Sequence, residues 1–164
     1  MRRHAVGCAL LVAWMAGAAT AQEPKATSGP DFKALMAKTI AAWATLDPAK
    51  AAPYYAKDVG LAFYDLAPLK YTGWAEYQAG TTQLFAGFSS LKLAVNDDVR
   101  TQQRGNVAWG SATVRGEMVM KDGSKEVLDA RWSVIWEKRG NDWLVVHEHF
   151  SVPAPEPGPA AEKK

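Results

Sequence analysis

The sequence predicts an α+β domain. Three observations carry that prediction. Apolar residues recur at helical spacing in two stretches before residue 89. Four later stretches alternate like strands, and turn sequences separate them at hairpin spacing. Segregated helices followed by antiparallel strands define the α+β class.

The elements follow in order. Ser28-Gly29-Pro30-Asp31 reads as a helix start, with a capping Ser, an early Pro and an acid three residues on. Phe32, Leu35, Met36, Thr39, Ile40 and Trp43 then line one helical face. Asp47-Pro48 stops that helix and caps a second, short one running to Tyr54-Tyr55. Leu61 to Tyr64 is a short strand, and Asp65 to Gly73 a loop containing Pro68. Trp74, Tyr77, Thr81, Leu84, Phe85 and Phe88 fit the face of a third helix. Strands are predicted at Leu91–Val95, Val107–Met120, Glu126–Lys138 and Trp143–Val152, forming a meander. Arg104-Gly105-Asn106, Lys121 to Ser124 and Arg139-Gly140-Asn141 turn between them.

The flanks read differently. Met1 to His4 is basic, Ala5 to Ala18 is almost wholly apolar, and Ala19-Thr20-Ala21 is small. That is the pattern of a cleavable export signal at residues 1–21, too short to span a bilayer. Residues 22–30 read as a flexible lead-in, 31–153 as the domain, and 154–164 as a disordered Pro-rich tail. The expected location is periplasmic or secreted. Cys8, the single cysteine, leaves with the leader, so the mature chain carries no disulfide. Arg2 and Arg3 leave too, and the remaining Lys and Arg balance the 17 Asp and Glu. A nucleic-acid binder would keep a basic excess. No nucleic-acid partner is therefore expected, and no membrane partner after cleavage.

The last hairpin gathers the polar chemistry. A three-residue turn with Asn141 in the left-handed conformation would set Lys138 opposite Asp142. Ile135 would then face Val145, Ser133 would face His147, and Arg131 would face His149. Arg131, Ser133, His147 and His149 would share one face of the sheet. The opposite face carries Trp132, Val134, Trp136, Leu144, Val146 and Phe150, with Glu148 its only charge. Three helices cover one face of such a sheet, so the other is expected to meet a second subunit as a homodimer or higher homo-oligomer.

The whole stretch from Asp31 to Pro153 resembles the nuclear transport factor 2-like superfamily, and within it the SnoaL-like proteins. The resemblance rests on the helix end at Leu46-Asp47, the Tyr55-Ala56-Lys57-Asp58 step and Gly73 before the third helix. It rests also on Arg131-Trp132-Ser133-Val134-Ile135-Trp136 and on Trp143 leading into His147-Glu148-His149-Phe150-Ser151. That ending is similar to the association domain of calcium/calmodulin-dependent kinase II. The resemblance implies a cone-shaped fold, with a curved antiparallel sheet packed on three helices and a pocket at the open end. The superfamily holds isomerases, dehydratases, hydrolases and cyclases as well as proteins that only bind or assemble, so fold alone does not choose the function.

The residues narrow the choice. Ketosteroid isomerase, a member of the superfamily, moves a proton with an Asp base assisted by a Tyr and a second Asp. Asp65 falls near the base, but the Tyr position falls at Thr39, and Asp129 is only near the third group. His147 and His149 could offer two metal ligands, with Asp65 or Asp129 as a third, but Arg131 beside them opposes a cation. No metal or cofactor is expected. Arg131 and Ser133 suit a small carboxylate or carbonyl ligand, with Tyr54, Tyr64, Trp74, Tyr77, Trp109 and Arg115 as further candidate contacts. An enzyme would use His147 or His149 as acid or base, with Arg131 holding charge and Asp65 as a further candidate. A non-catalytic association module is the alternative, and the cluster would then be a structural hydrogen-bond network. Trp43, Trp136 and Trp143 read as core or interface residues.

Overall fold

The computed structural model describes residues 29–154. The expected leader at 1–21, most of the lead-in and the tail from 155 onward lie outside the described residues.

Helix α1 spans Phe32–Trp43. Its cap is Asp31, whose carboxylate accepts from the Ala34 N–H at 3.0 Å. Phe32, Met36, Thr39, Ile40 and Trp43 form its buried stripe, at the spacing one helical face requires. Asp47 caps the short helix α2, Pro48–Ala51, by accepting from the Ala49 N–H. A single 3₁₀ turn, Ala52–Tyr54, follows. Strands β1, Ala62–Tyr64, and β2, Tyr71–Thr72, precede helix α3, Gly73–Phe85, which buries Trp74, Tyr77 and Thr81. Phe88, expected on that helix, opens β3, Phe88–Val95. Then come β4, Arg100–Arg104, β5, Val107–Met120, β6, Lys125–Arg139, and β7, Asp142–Ser151.

The helices and the late meander stand as expected, but the cone does not. The described strands form an open seven-stranded sheet in the order β2-β1-β7-β6-β5-β3, with β4 also paired to β5. Its edges, β2 and β3, do not pair with each other, so the sheet does not wrap shut. Nor is it purely antiparallel, because β1 runs parallel to β7, with Phe63 opposite Glu148. Two strands were not legible. β2 is only two residues long. β4 is wholly polar and lies at the edge, where one face and one row of backbone groups meet water. β3 and β4 pair with successive halves of β5. Between them the Asp98 carboxylate accepts from the Thr113 N–H at 3.0 Å, replacing the missing backbone partner.

The last hairpin also corrects the register. Arg139 pairs with Asp142 across a two-residue Gly140-Asn141 turn, with Gly140 at φ 61°. Trp136 pairs with Val145 but Ile135 with His147, so Val146 is the extra residue of a bulge. Beyond it Ser133 faces His149 and Arg131 faces Ser151. The bulge changes the phase of the strand. Val145 and Glu148, an odd number of residues apart, both point inward and are fully buried.

The core lies between the helices and the inner face of the sheet. Trp132, Val134 and Trp136 of β6 meet Met36, Ile40 and Trp43 of α1 there. Gly110 permits this approach. A Cβ there would stand 2.9 Å from the Trp136 ring and 3.0 Å from Met36 Sδ.

Candidate functional site

Glu148 is a carboxylate with no exposure to solvent. Such a group is tolerated only when its oxygens are satisfied. Tyr77 Oη donates to Oε1 at 2.7 Å, Trp132 Nε1 donates to Oε2 at 3.0 Å, and Tyr55 Oη lies 2.9 Å from both oxygens. Trp43 Nε1 in turn donates to Tyr55 Oη at 2.7 Å. Three side chains from separate parts of the chain reach the carboxylate, and a fourth, Trp43, backs one of them. Tyr55 is held against β7 by a bridge to Val145 and by the Ala56 N–H donating to the Val145 carbonyl. Tyr77 comes from α3, Trp132 from β6 and Trp43 from α1. Stacking of Trp132 on Phe150, with centroids 5.4 Å apart, fixes the indole.

Tyr77 links this buried group to a second acid. Asp65 follows β1, and its Oδ2 lies 3.3 Å from Tyr77 Oη while Oδ1 accepts from the Leu66 N–H at 2.7 Å. Burial pushes the Glu148 carboxyl up to about 7, against its hydrogen bonds from Tyr77 and Tyr55 and with help from the charge of Asp65. Burial raises Asp65 as well, opposed by the Leu66 N–H and Tyr77. Burial and the two nearby carboxylates hold both tyrosines well above their usual range, so each remains a hydroxyl donor.

Asp65 and Tyr77 also line a cavity of about 380 Å³ between helices and sheet. Ile40 and Trp43 of α1 form one wall, and Thr81, Leu84 and Phe85 of α3 another. The sheet adds Phe88, Leu91 and Leu93 from β3, Met118 and Met120 from β5, Leu128 from β6 and Phe150 from β7. Glu126 stands at its exposed side. Among the described residues no Lys, Arg or His lines it.

Of the residues singled out in the sequence, the cavity brings together Asp65 and Tyr77. Trp74 is buried in the core beside Tyr55, with Lys57 Nζ 3.8 Å above its ring and its own Nε1 donating to Gln78. Tyr54 is half-buried and packs against the same core. The others lie on the outer face of the sheet. Arg131, Ser133 and His149 are exposed there, and Arg115 pairs with Asp129 at 3.1 Å. Tyr64 lies edge-on to His147 and His149, with ring centroids 5.5 and 5.6 Å away. His147 Nδ1 donates to the Ala62 carbonyl at 2.7 Å. Trp109 sits opposite Ile135. Among the described residues no group of three or more His, Cys, Asp or Glu is placed to hold a metal ion.

Sequence reasoning passed over Glu148 and Tyr55 as site residues, while Trp132 was expected, with Trp74 and Trp109, to line a pocket. The signal was present for the first. Glu148 is the single charge on an otherwise apolar strand face, and such a residue needs buried donors.

The sequence profile of the family described as "SnoaL-like domain" matches residues 32–155. No curated protein matches the sequence. Solved structures share the fold. A nuclear transport factor 2-like superfamily protein of Salmonella enterica is 21% identical, with TM-score 0.67, over 80% of this chain and 96% of its own. An NTF2-like protein of unknown function from Pseudomonas putida KT2440 is 20% identical, with TM-score 0.64, over 76% and 86%. The association domain of Caenorhabditis elegans CaMKII is 13% identical, with TM-score 0.59, over 74% and 93%. Among the described residues no helix is long and apolar enough to cross a membrane.

Proposed function

This chain belongs to the SnoaL-like domain family, and we propose that its domain binds a small, uncharged, largely apolar organic molecule in the cavity beside Asp65. The chemistry of the wall carries this reading. Aliphatic and aromatic side chains dominate it, Asp65 supplies a polar point beside Tyr77, and among the described residues no basic group lines it. Apolar pockets with a few convergent polar groups are what small-molecule sites look like. A ligand carboxylate would meet a carboxyl group with no cation to compensate it. Of the two ligand types expected from the sequence, the wall therefore favours the carbonyl and disfavours the carboxylate.

The test is thermal unfolding of the full chain with 2-acetylnaphthalene, 2-naphthol and 2-naphthoate, since ligands that bind the native state raise the midpoint. The two neutral compounds should raise it and 2-naphthoate should not. An equal rise with 2-naphthoate would sink the reading.

Association between copies has its own support. On the outer face Trp109 and Ile135 sit side by side and remain 39% and 37% exposed, next to His147 across the β6–β7 pair. Val107 and Val127 are exposed further along. An apolar strip of this kind suits a second copy of the chain. Sedimentation should give a dimer that Ile135→Glu dissociates, and a monomer at every concentration would remove this reading. Export is the remaining part of the proposal. Mass spectrometry of the protein from its native host should place the mature N-terminus at Gln22, and a retained Met1 would contradict it.

A further inference from the structure

The outer face of the sheet sets two imidazoles beside its apolar strip. Glu148 points inward, so His147 and His149 on either side of it point outward. His147 is half-buried and His149 exposed. Ile135 is the pair of His147 across β6 and β7, and Trp109 is the pair of Ile135 across β5 and β6. Strip and imidazoles therefore form one continuous surface. On the β1 side, Tyr64 meets both rings edge-on. His147 Nδ1 donates to the Ala62 carbonyl, which can only accept, so in the neutral ring Nε2 carries a bare lone pair. Protonation puts a charge and a new donor on this surface, and covering them without water or an acid is costly.

The neighbours offer that charge no uncommitted acid. Among the described residues, His147 is faced by Ile135 from β6 and by Tyr64 and the Ala62 carbonyl from β1. His149 is faced by Ser133 from β6 and by Tyr64. Arg131 stands one residue pair further on, opposite Ser151 of β7 and Thr113 of β5. The nearest acids on this face are Asp129 and Glu137, and each is bonded to an arginine, Arg115 at 3.1 Å and Arg139 at 2.8 Å. Glu148 and Asp65 lie on the inner side, within reach of the Tyr77 hydroxyl.

We propose that this surface joins two copies of the chain only while His147 and His149 are uncharged, so that mild acid separates them. This regulation rests on the association reading above and names the two residues that set it. A two-fold contact through one face is isologous, so the strip meets the same strip of the second copy and like charges meet like. Arg131 already brings one fixed charge per copy, and charged His147 and His149 bring two more. Imidazole is the side chain that ordinarily changes charge between pH 5 and 8. Each imidazole that must shed a proton to be covered weakens association about tenfold per pH unit, once the free chain carries the charge.

The experiment is sedimentation of the full chain at pH 8 and at pH 5.5, with cooperative unfolding checked at both. The dimer dissociation constant should rise at least about tenfold at the lower pH, the effect of a single imidazole that must lose its proton. The double variant His147→Gln/His149→Gln keeps an N–H donor for the Ala62 carbonyl but cannot take up a proton, and should stay dimeric at both pH values. His149→Gln alone changes an exposed side chain and keeps the test open if the double variant fails to fold. It should roughly halve the change in the logarithm of the constant, since one of two titrating groups is gone. A wild-type dimer equally tight at both pH values would overturn the inference and leave the association reading intact. So would a folded variant that dissociates in acid as fully as the wild type, because the buried carboxyls would then be the cause. A monomer at both pH values would overturn both readings.

Discussion

Replacing Glu148 by Gln should change how stability depends on pH. Burial pushes the carboxyl up to about 7 in the folded chain, from an ordinary value of 4.5. A raised carboxyl binds its proton more tightly when folded. Its contribution is therefore full below the unfolded value and is lost as pH rises through the folded one. Each pH unit in that window is worth about 1.4 kcal/mol, so the wild type should lose about 3 kcal/mol between pH 4.5 and pH 7 from this group. Glu148 is fully buried, so solvent does not screen the effect. Asp65 adds to it in the same direction, since its carboxyl is raised too. The assay is urea unfolding of both proteins at half-unit steps from pH 4.5 to 8.5, compared as a difference. Glu148→Gln should be less stable at low pH, where its amide N–H₂ replaces a carboxyl hydroxyl among three donors, and should close the gap as pH rises. A difference that stays flat across pH 5 to 8, or that widens in favour of the wild type, would refute the reasoning.

Tyr77→Phe removes a hydroxyl bonded to a buried charged group, and should cost about 1.5–3 kcal/mol by urea unfolding at pH 8. The loss should be smaller at pH 5, where the carboxyl is neutral. Gly110→Ala should cost about 1–3 kcal/mol in the same assay, because the new methyl meets Trp136 and Met36 at 2.9 and 3.0 Å. Arg131→Ala should change stability by less than about 0.5 kcal/mol and leave binding of 2-acetylnaphthalene unchanged, because its side chain is exposed on the outer face.

Much of the fold was legible because packing imposes simple periods. The α1 stripe from Phe32 to Trp43 could be read at helical spacing, and the inner face of β6 could be read from Trp132, Val134 and Trp136 alternating with exposed residues. What escaped depended on single-residue events. The extra residue at Val146 shifts the β6–β7 register, and nothing in the apolar run Leu144-Val145-Val146 marks which residue will be extra. The parallel pairing of β1 with β7 joins segments some 85 residues apart, beyond the reach of local pattern. The open, mixed sheet in place of a cone follows from such long-range pairing. Alternation correctly put Arg131, Ser133, His147 and His149 on one face, but it could not say which face the helices cover. Apolar bulk decides that, and Trp132 and Trp136 draw α1 to the opposite side. Asp65 and Tyr77 were named separately. Only the three-dimensional structure brings Glu148 between Tyr55 and Tyr77 and turns isolated residues into a chain of hydrogen bonds.

The most direct test of the cavity as a ligand site is calorimetric titration of 2-acetylnaphthalene into the wild type and into Leu128→Trp. Leu128 is half-buried on the β6 wall of the cavity, so a larger side chain there should take up cavity space. The wild type should bind it saturably, with the negative heat-capacity change of apolar burial, and the variant should lose binding while still unfolding cooperatively. Equal binding to both proteins would place the ligand elsewhere and contradict it.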